Sequence, residues 1–459
     1  MSTTGQPLPA RTVAGYSIGS LGTGGFATLP GLVLIYYMTD TLGIAAITAG
    51  LLVTAAKVWD VVIDPVIGAR SDHSLAVTGS RRRFMVLGGI LLPIFFILTF
   101  AVPPGMGPGL AGLWVLLAFM ATATAFSLFQ VPYIALPAEL TSSYDQRTRL
   151  LSVRVVVLSV AILLFGAGGP ALRSLGGENE ALGYLLMALA AGLLIGAAML
   201  VTSRVAGRGA PRPAVRGNIA SNYRDGLAAL RRSHAFRVLL LCFALQGLAT
   251  GVMLAGAQYV ATWVLHSESA VTFLFISLIG PALLFAPLWR VVAARIGKER
   301  SFRYASLMFG VASLALVAMI AAPGAWVYVP VALAGAGYAG MQSLPMSMLP
   351  DVISHDAKTH GDGSAGIFGG VWTAGETTGM ALGATVLAMV LAASGYIQSV
   401  AGETVTQGPA AINGIILSFS LVPAVLIVLS LLVFRRYPLR QADIDAGPAP
   451  ASPYTEGAS

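Results

Sequence analysis

Runs of twenty or more residues with almost no charge recur along this chain, separated by short polar links. A helix needs about 20 apolar residues to cross the hydrocarbon core of a bilayer. In lipid the backbone must also satisfy its own hydrogen bonds, so such runs dictate membrane-spanning helices. Candidate crossings fall at 13–39, 44–69, 84–103, 109–137, 150–174 and 181–203. After a polar interruption they resume at 236–265, 270–294, 304–322, 326–350, 364–395 and 411–434. The count is about twelve by that ruler, in two sets of six. Composition agrees: 56% of the 459 residues are hydrophobic and 10% charged, where soluble domains carry about 25% charged residues. A soluble enzyme is excluded. The expected fold class is an all-α membrane protein, with one six-helix bundle over 1–204 and another over 236–434.

The formal net charge of +8 does not gather on one face, as a nucleic-acid site requires, but sits in the links, which suits a membrane surface. Arg70, Arg81–Arg83, Arg147, Arg149, Arg204 through Arg237, Arg295, Lys298, Arg300, Arg303, Lys358, Arg435, Arg436 and Arg440 fall on one side of the alternating crossings, and Arg173 on the other. Positive residues stay on the cytoplasmic side, so both termini are expected there, in a multi-pass protein of the bacterial inner membrane. The first crossing is too long for the apolar core of a signal peptide and is read as a retained helix. The Pro-, Gly- and Arg-rich stretch 205–235 reads as a cytoplasmic connector resting on anionic headgroups. The tail 435–459, rich in Ala, Pro, Gly and Ser beyond its arginines, reads as disordered.

The single cysteine, Cys242, excludes an intramolecular disulfide. His73, His355 and His360 lack metal-ligand spacing, and the chain has no nucleophile elbow, zinc-protease or phosphate-loop motif. No enzyme activity, metal or cofactor is expected.

The informative residues are the ionisable ones inside the crossings. The second reads AAKVWDVVIDPVIGARSD and sets Lys57, Asp60 and Asp64 three and four apart, one above another on a helix face. A charge at the middle of an inserted helix costs about 2.5–3.5 kcal/mol, so this face belongs in the bundle interior. Either Lys57 neutralises Asp60 and the cluster fixes packing, or the two carboxylates form an oxygen site for a cation or proton. One lysine cannot neutralise two aspartates. On the fourth crossing, Ser127 and Gln130 share a face and either extend that site or bond between helices. Arg154 either snorkels to the surface or faces a solute. Glu376, in the eleventh crossing, has no neighbouring cation in sequence and needs protonation, water or a partner on another helix.

Segments YYMTDTLG (36–43), KVWDVVIDPVIGARSD (57–72), VPYIALPAELTSSYDQRTR (131–149) and MLPDVISHD (348–356), followed by the Glu376 segment, recur in this order. Together they resemble the glycoside–pentoside–hexuronide:cation symporter family of the major facilitator superfamily. The resemblance implies the major facilitator fold, alternating access between two six-helix halves, and symport of a sugar-like or other small organic solute with sodium or a proton. By position it implies a coupling-cation site at Asp60, Asp64, Ser127 and Gln130. It implies solute contacts at Gly24, Lys57, Gln130, Arg154, Gln342, Thr373 and Glu376. Gly24 stands where a sugar-carrying member has an aspartate, Gln130 where it has a third acid, and Gln342 where it has a tryptophan. A cytoplasmic gate is expected from Asp72, Arg81, Arg82, Arg83, Asp145 and Arg149. The pocket's loss of acids keeps an amphiphile or lysolipid symporter as the alternative, beside a proton-coupled exporter. Outside transport the rival is a membrane assembly or sensing protein. Expected partners are a small-molecule solute and membrane lipid, and the working unit is one chain.

Overall fold

The computed structural model describes residues 8–141, 144–205, 228, 230–267, 269–360, 365–403 and 405–439. Most of the connector expected at 205–235 and most of the tail at 435–459 lie outside the described residues. The first half comprises α1 (Ala10–Tyr36), α2 (Ala46–Thr78), α3 (Arg82–Phe100), α4 (Pro108–Leu140), α5 (Tyr144–Arg173) and α6 (Glu180–Ser203). The second comprises α7 (His234–Tyr259), α8 (Ala270–Ile296), α9 (Lys298–Ala315), α10 (Tyr328–His360), α11 (Ala365–Ala393) and α12 (Pro409–Phe434, interrupted at Ser420). Among the described residues no strand forms, and a single antiparallel bridge joins Leu42 to Val400.

Local chemistry sets the ends. Pro108 and Pro409 occupy first-turn positions, where a missing N–H costs nothing. The side chains of Asn179 and Ser233 accept from Leu182 N and Phe236 N, satisfying donors at the starts of α6 and α7. Gly79 closes α2 in the left-handed conformation at φ 69°.

Among the described residues, eleven helical spans are long and apolar enough to cross a bilayer. The twelfth, α10, is 33 residues long, but glycines, three prolines and Gln342 dilute its apolar character. Helices also run past the sequence-based boundaries. The second crossing, expected to end at 69, continues to Thr78, and the tenth, expected to end at 350, continues to His360. Hydropathy marks the hydrocarbon core, while the helix itself extends into the headgroup layer.

The two halves repeat one packing plan. In the first, α1 packs on α5 and α6, α3 on α4 and α6, and α2 on α4. In the second, α7 packs on α11 and α12, α9 on α10 and α12, and α8 on α10. Each leading helix ends in a π-helical turn, Tyr37–Thr41 and Val260–Val264. Each fourth helix carries prolines five apart, Pro132 and Pro137, Pro345 and Pro350. Contacts between halves run α2 to α11, α5 to α8 and α1 to α7.

Glycines set the closest crossings. A Cβ on Gly383 would lie 2.4 Å from the Gly251 carbonyl carbon and 2.5 Å from Val252 N, because α7 and α11 touch backbone to backbone. Gly383→Ala must push these helices apart and is expected to cost about 1–3 kcal/mol. Thermal unfolding of the purified protein checks this against Gly369→Ala, where a Cβ meets open space.

Candidate cation and solute site

The α2 cluster is held by its neighbours. Trp59 Nε1 donates to Thr124 Oγ1 of α4 at 2.8 Å, which fixes the rotation of α2 and presents the Lys57–Asp60–Asp64 face. Lys57 Nζ donates to Asp60 Oδ2 at 3.3 Å and lies 5.5 Å from the centre of the Phe26 ring on α1. The other oxygen, Asp60 Oδ1, is buried without a partner. Asp64 is exposed, and the buried Ser127 of α4 lies beside it. Gln130 Oε1 accepts from Thr23 Oγ1 at 2.7 Å, leaving its amide nitrogen free of that bond. The structure thus brings together Lys57, Asp60, Asp64 and Ser127, with Gln130 on the same helix as Ser127.

Arg154 of α5 lies over the Tyr133 ring, 5.2 Å from its centre, and its buried Nε has no partner. The platform beneath is rigid. Tyr133 stacks on Tyr16 at 4.7 Å, and its hydroxyl lies 3.0 Å from Ser20 Oγ and donates to Tyr16 O at 3.1 Å. A guanidinium on an aromatic face is oriented without being neutralised, so it stays available to an acceptor.

In the second half, Gln342 Nε2 donates to Tyr338 Oη at 3.0 Å. Glu376 on α11 is half-buried, and among the described residues no cation pairs with it. Thr373, one turn away, is exposed and bonds Gly369 O at 3.1 Å.

Gly24, expected by resemblance among the solute contacts, packs closely against α5. A Cβ there would lie 2.7 Å from Ala161 Cβ and 3.2 Å from Leu158 O, so the position is closed by α5 and serves the α1–α5 crossing. Thr23, the preceding residue, makes the polar contact.

The expected gate residues divide. Arg81 is buried and bonds Asp72, Glu139 at 2.6 Å and Ser71 at 2.8 Å, all within the first half. Its counterpart in the second half is Lys298, paired with Asp351 of α10. Arg82, Arg83 and Arg149 are exposed. The Asp145 side chain lies outside the described residues.

One functional group escaped the sequence reading. Asp40, 5% exposed in the π-turn after α1, accepts from Thr39 Oγ1, from Trp263 Nε1 at 3.3 Å and from the Tyr396 hydroxyl. Tyr259 Oη lies 2.6 Å from Thr39 Oγ1, and Ser399 N donates to Thr39 O at 3.0 Å. Burial and the Asp40 carboxylate push the Tyr396 hydroxyl up from its ordinary pKa, keeping it a donor. The cluster joins the two halves at the face opposite the arginine-rich links. Thr54–Thr385, Gly50 against Ala388, and Thr272 Oγ1 to Ala167 O at 3.1 Å join them on the same side. Asp64 and Thr373 lie beyond these contacts on α2 and α11, toward the arginine-rich face, and are exposed.

A family model described as MFS/sugar transport protein matches residues 15–441. The chain belongs to that family. Within it, the chain is a member of the glycoside–pentoside–hexuronide:cation symporters. It is 26% identical to the glucuronide carrier protein homolog of Escherichia coli, over 95% of this chain and 93% of the relative. It is 24% identical to the isoprimeverose transporter of Lactiplantibacillus pentosus, over 85% of this chain and 81% of that one. The crystal structure of the nucleoside transporter NupG superposes with a TM-score of 0.64 at 14% identity, over 93% of this chain and 98% of that one, which establishes the major facilitator fold.

Proposed function

We propose that this member of the family couples the entry of a sugar-like solute to a cation bound at Asp60 and Asp64. The observation that carries the reading is the incomplete neutralisation of the α2 cluster. One ammonium and two carboxylates leave a formal single negative charge, and the lysine reaches one oxygen of one aspartate. Asp60 Oδ1, the Asp64 carboxylate and the Ser127 hydroxyl are hard oxygen ligands for sodium, and the same carboxylates can take a proton. A bound cation brings the cluster to neutrality, so the half that carries it can close over a dry interior.

The solute lies between the halves, with Arg154 and Gln130 on one side and Gln342, Glu376 and Thr373 on the other. A charged, oriented guanidinium beside the coupling site favours solutes rich in acceptor oxygens. The sugar carriers among the relatives support that class. With both termini in the cytoplasm, the joined face is external and this conformation faces inward. The Asp72–Arg81–Glu139 network then holds the inner end of the first half.

Uptake into reconstituted vesicles tests the reading. A methyl glycoside or glucuronide should accumulate when a sodium or proton gradient is imposed, and should only equilibrate without one. Accumulation of a lysophospholipid instead would assign the amphiphile solute. Lys57→Gln should raise the formal negative charge by one and steepen the dependence of uptake on cation concentration, read as a higher Hill coefficient than in the wild type.

A further inference from the structure

Three arginines in a row open α3, and the structure orients them in two directions. Arg81 is buried and committed to Asp72, Glu139 and Ser71. Arg82 and Arg83 are exposed, and no ion pair among the described residues includes them. They line a groove of about 720 Å³ together with Thr78, Val86, Leu87 and Ile90. Arg83 and Thr78 also border an adjoining groove of about 490 Å³ that holds Arg70, His73 and Val77 of α2.

The apolar wall continues the cationic one. Arg83, Leu87, Ile90 and Ile94 follow at helical intervals of four, three and four, so they lie along one face of α3. Leu87, Ile90 and Ile94 are 47%, 48% and 49% exposed. At 1.5 Å per residue the stripe from Arg83 to Ile94 is about 16 Å long, which matches one leaflet of a hydrocarbon core about 30 Å thick. On α2, Arg70 and His73 are exposed at the same end, followed by Val77 at 63%. The acid at this end of α2, Asp72, is already tied to Arg81.

Unpaired cations at the headgroup level, ending a stripe one leaflet deep, complement an amphiphile with an anionic head. A free phosphate would use the arginines and gain nothing from the stripe. A soluble peptide would have to enter the membrane to reach it. We infer that this groove binds an anionic phospholipid of the leaflet at the arginine-rich face. Its phosphate rests on Arg82 and Arg83 with Arg70 beside them, and an acyl chain lies along Leu87, Ile90 and Ile94. Because Arg81 adjoins Arg82, the lipid also steadies the link that carries the Asp72–Arg81–Glu139 network. The inference needs only that this face lies at a headgroup layer and is independent of the solute and the ion.

Thermal unfolding of the full chain in detergent micelles tests it, with dioleoyl phosphatidylglycerol, dioleoyl phosphatidylcholine or glycerol phosphate added. Phosphatidylglycerol should raise the midpoint by roughly 3–5 °C at saturation, and the other two should raise it by far less. The Arg82→Gln/Arg83→Gln variant should lose most of that rise, whereas Arg82→Lys/Arg83→Lys and a distant control, Arg435→Gln/Arg436→Gln, should keep it. Should the double glutamine variant not fold, Arg83→Gln and Arg70→Gln are read singly, each with a partial loss. Equal stabilisation by phosphatidylcholine, equal stabilisation by glycerol phosphate, or a full rise in the glutamine variants would each overturn the assignment.

Discussion

Asp64→Asn should abolish uphill accumulation while leaving downhill exchange of solute. Asparagine keeps the size of the side chain and still offers Ser127 an acceptor oxygen, so the packing of the helix survives. What changes is charge. With Asp64 neutral, Lys57 and Asp60 balance each other, and the cluster no longer needs a cation before the halves close over it. Cation and solute then stop helping one another. A coupling free energy of typically 1–3 kcal/mol, or 5–150-fold in affinity, should fall to zero. In vesicles the internal-to-external solute ratio under an imposed gradient should drop to unity, and counterflow between equal solute pools should persist. Asp60→Asn should be more damaging, because it strands the Lys57 ammonium beside the Phe26 ring with no carboxylate at hydrogen-bonding distance. Uptake that stays concentrative in Asp64→Asn would remove this aspartate from the coupling site.

Asp40→Ala should shift the resting equilibrium toward opening at the face where the halves now meet. The carboxylate gathers Thr39 from its own half with Trp263 and Tyr396 from the other. The bonds from Trp263 and Tyr396 exist only while the halves are joined there, so their loss weakens one conformation and leaves the other unchanged. Stranding buried donors costs about 1–3 kcal/mol each, and roughly 3 kcal/mol in total changes the ratio of the two states on the order of a hundredfold. Spin labels at the exposed positions Glu178 and Ser269, one in each half at this face, should report a longer-distance population in the variant. Asp40→Asn, which keeps an acceptor oxygen, should move it less. An unchanged distance distribution in Asp40→Ala would show that the cluster packs the fold without setting its conformation.

The membrane class was readable because lipid imposes one rule on every crossing, and the twelve runs obeyed it through length and lack of charge. The α2 cluster was readable for the complementary reason: Lys57, Asp60 and Asp64 break that rule at helical spacing. The two sets of six crossings hint at a repeat between the halves. Its clearer marks are the paired prolines of α4 and α10 and the π-turns after α1 and α7, and the latter are properties of backbone geometry. Asp40 was missed because Trp263 and Tyr396 lie 223 and 356 residues away and no local pattern connects them. The one available signal was an aspartate at the end of an apolar run on the side with few charges. Gly24 enters the expected solute contacts by positional resemblance alone, because a residue without a side chain gives no direction to its face; its close packing against Ala161 is visible only in the structure.

Solute affinity measured by calorimetry on the purified protein, with and without the coupling cation, tests the central claim most directly. Sodium at fixed pH, and separately lower pH at fixed potassium, identify the ion. The account predicts that one of them tightens glycoside binding 5–150-fold in the wild type and has no effect in Asp60→Asn/Asp64→Asn. The same cation-dependent tightening in that double variant would contradict it.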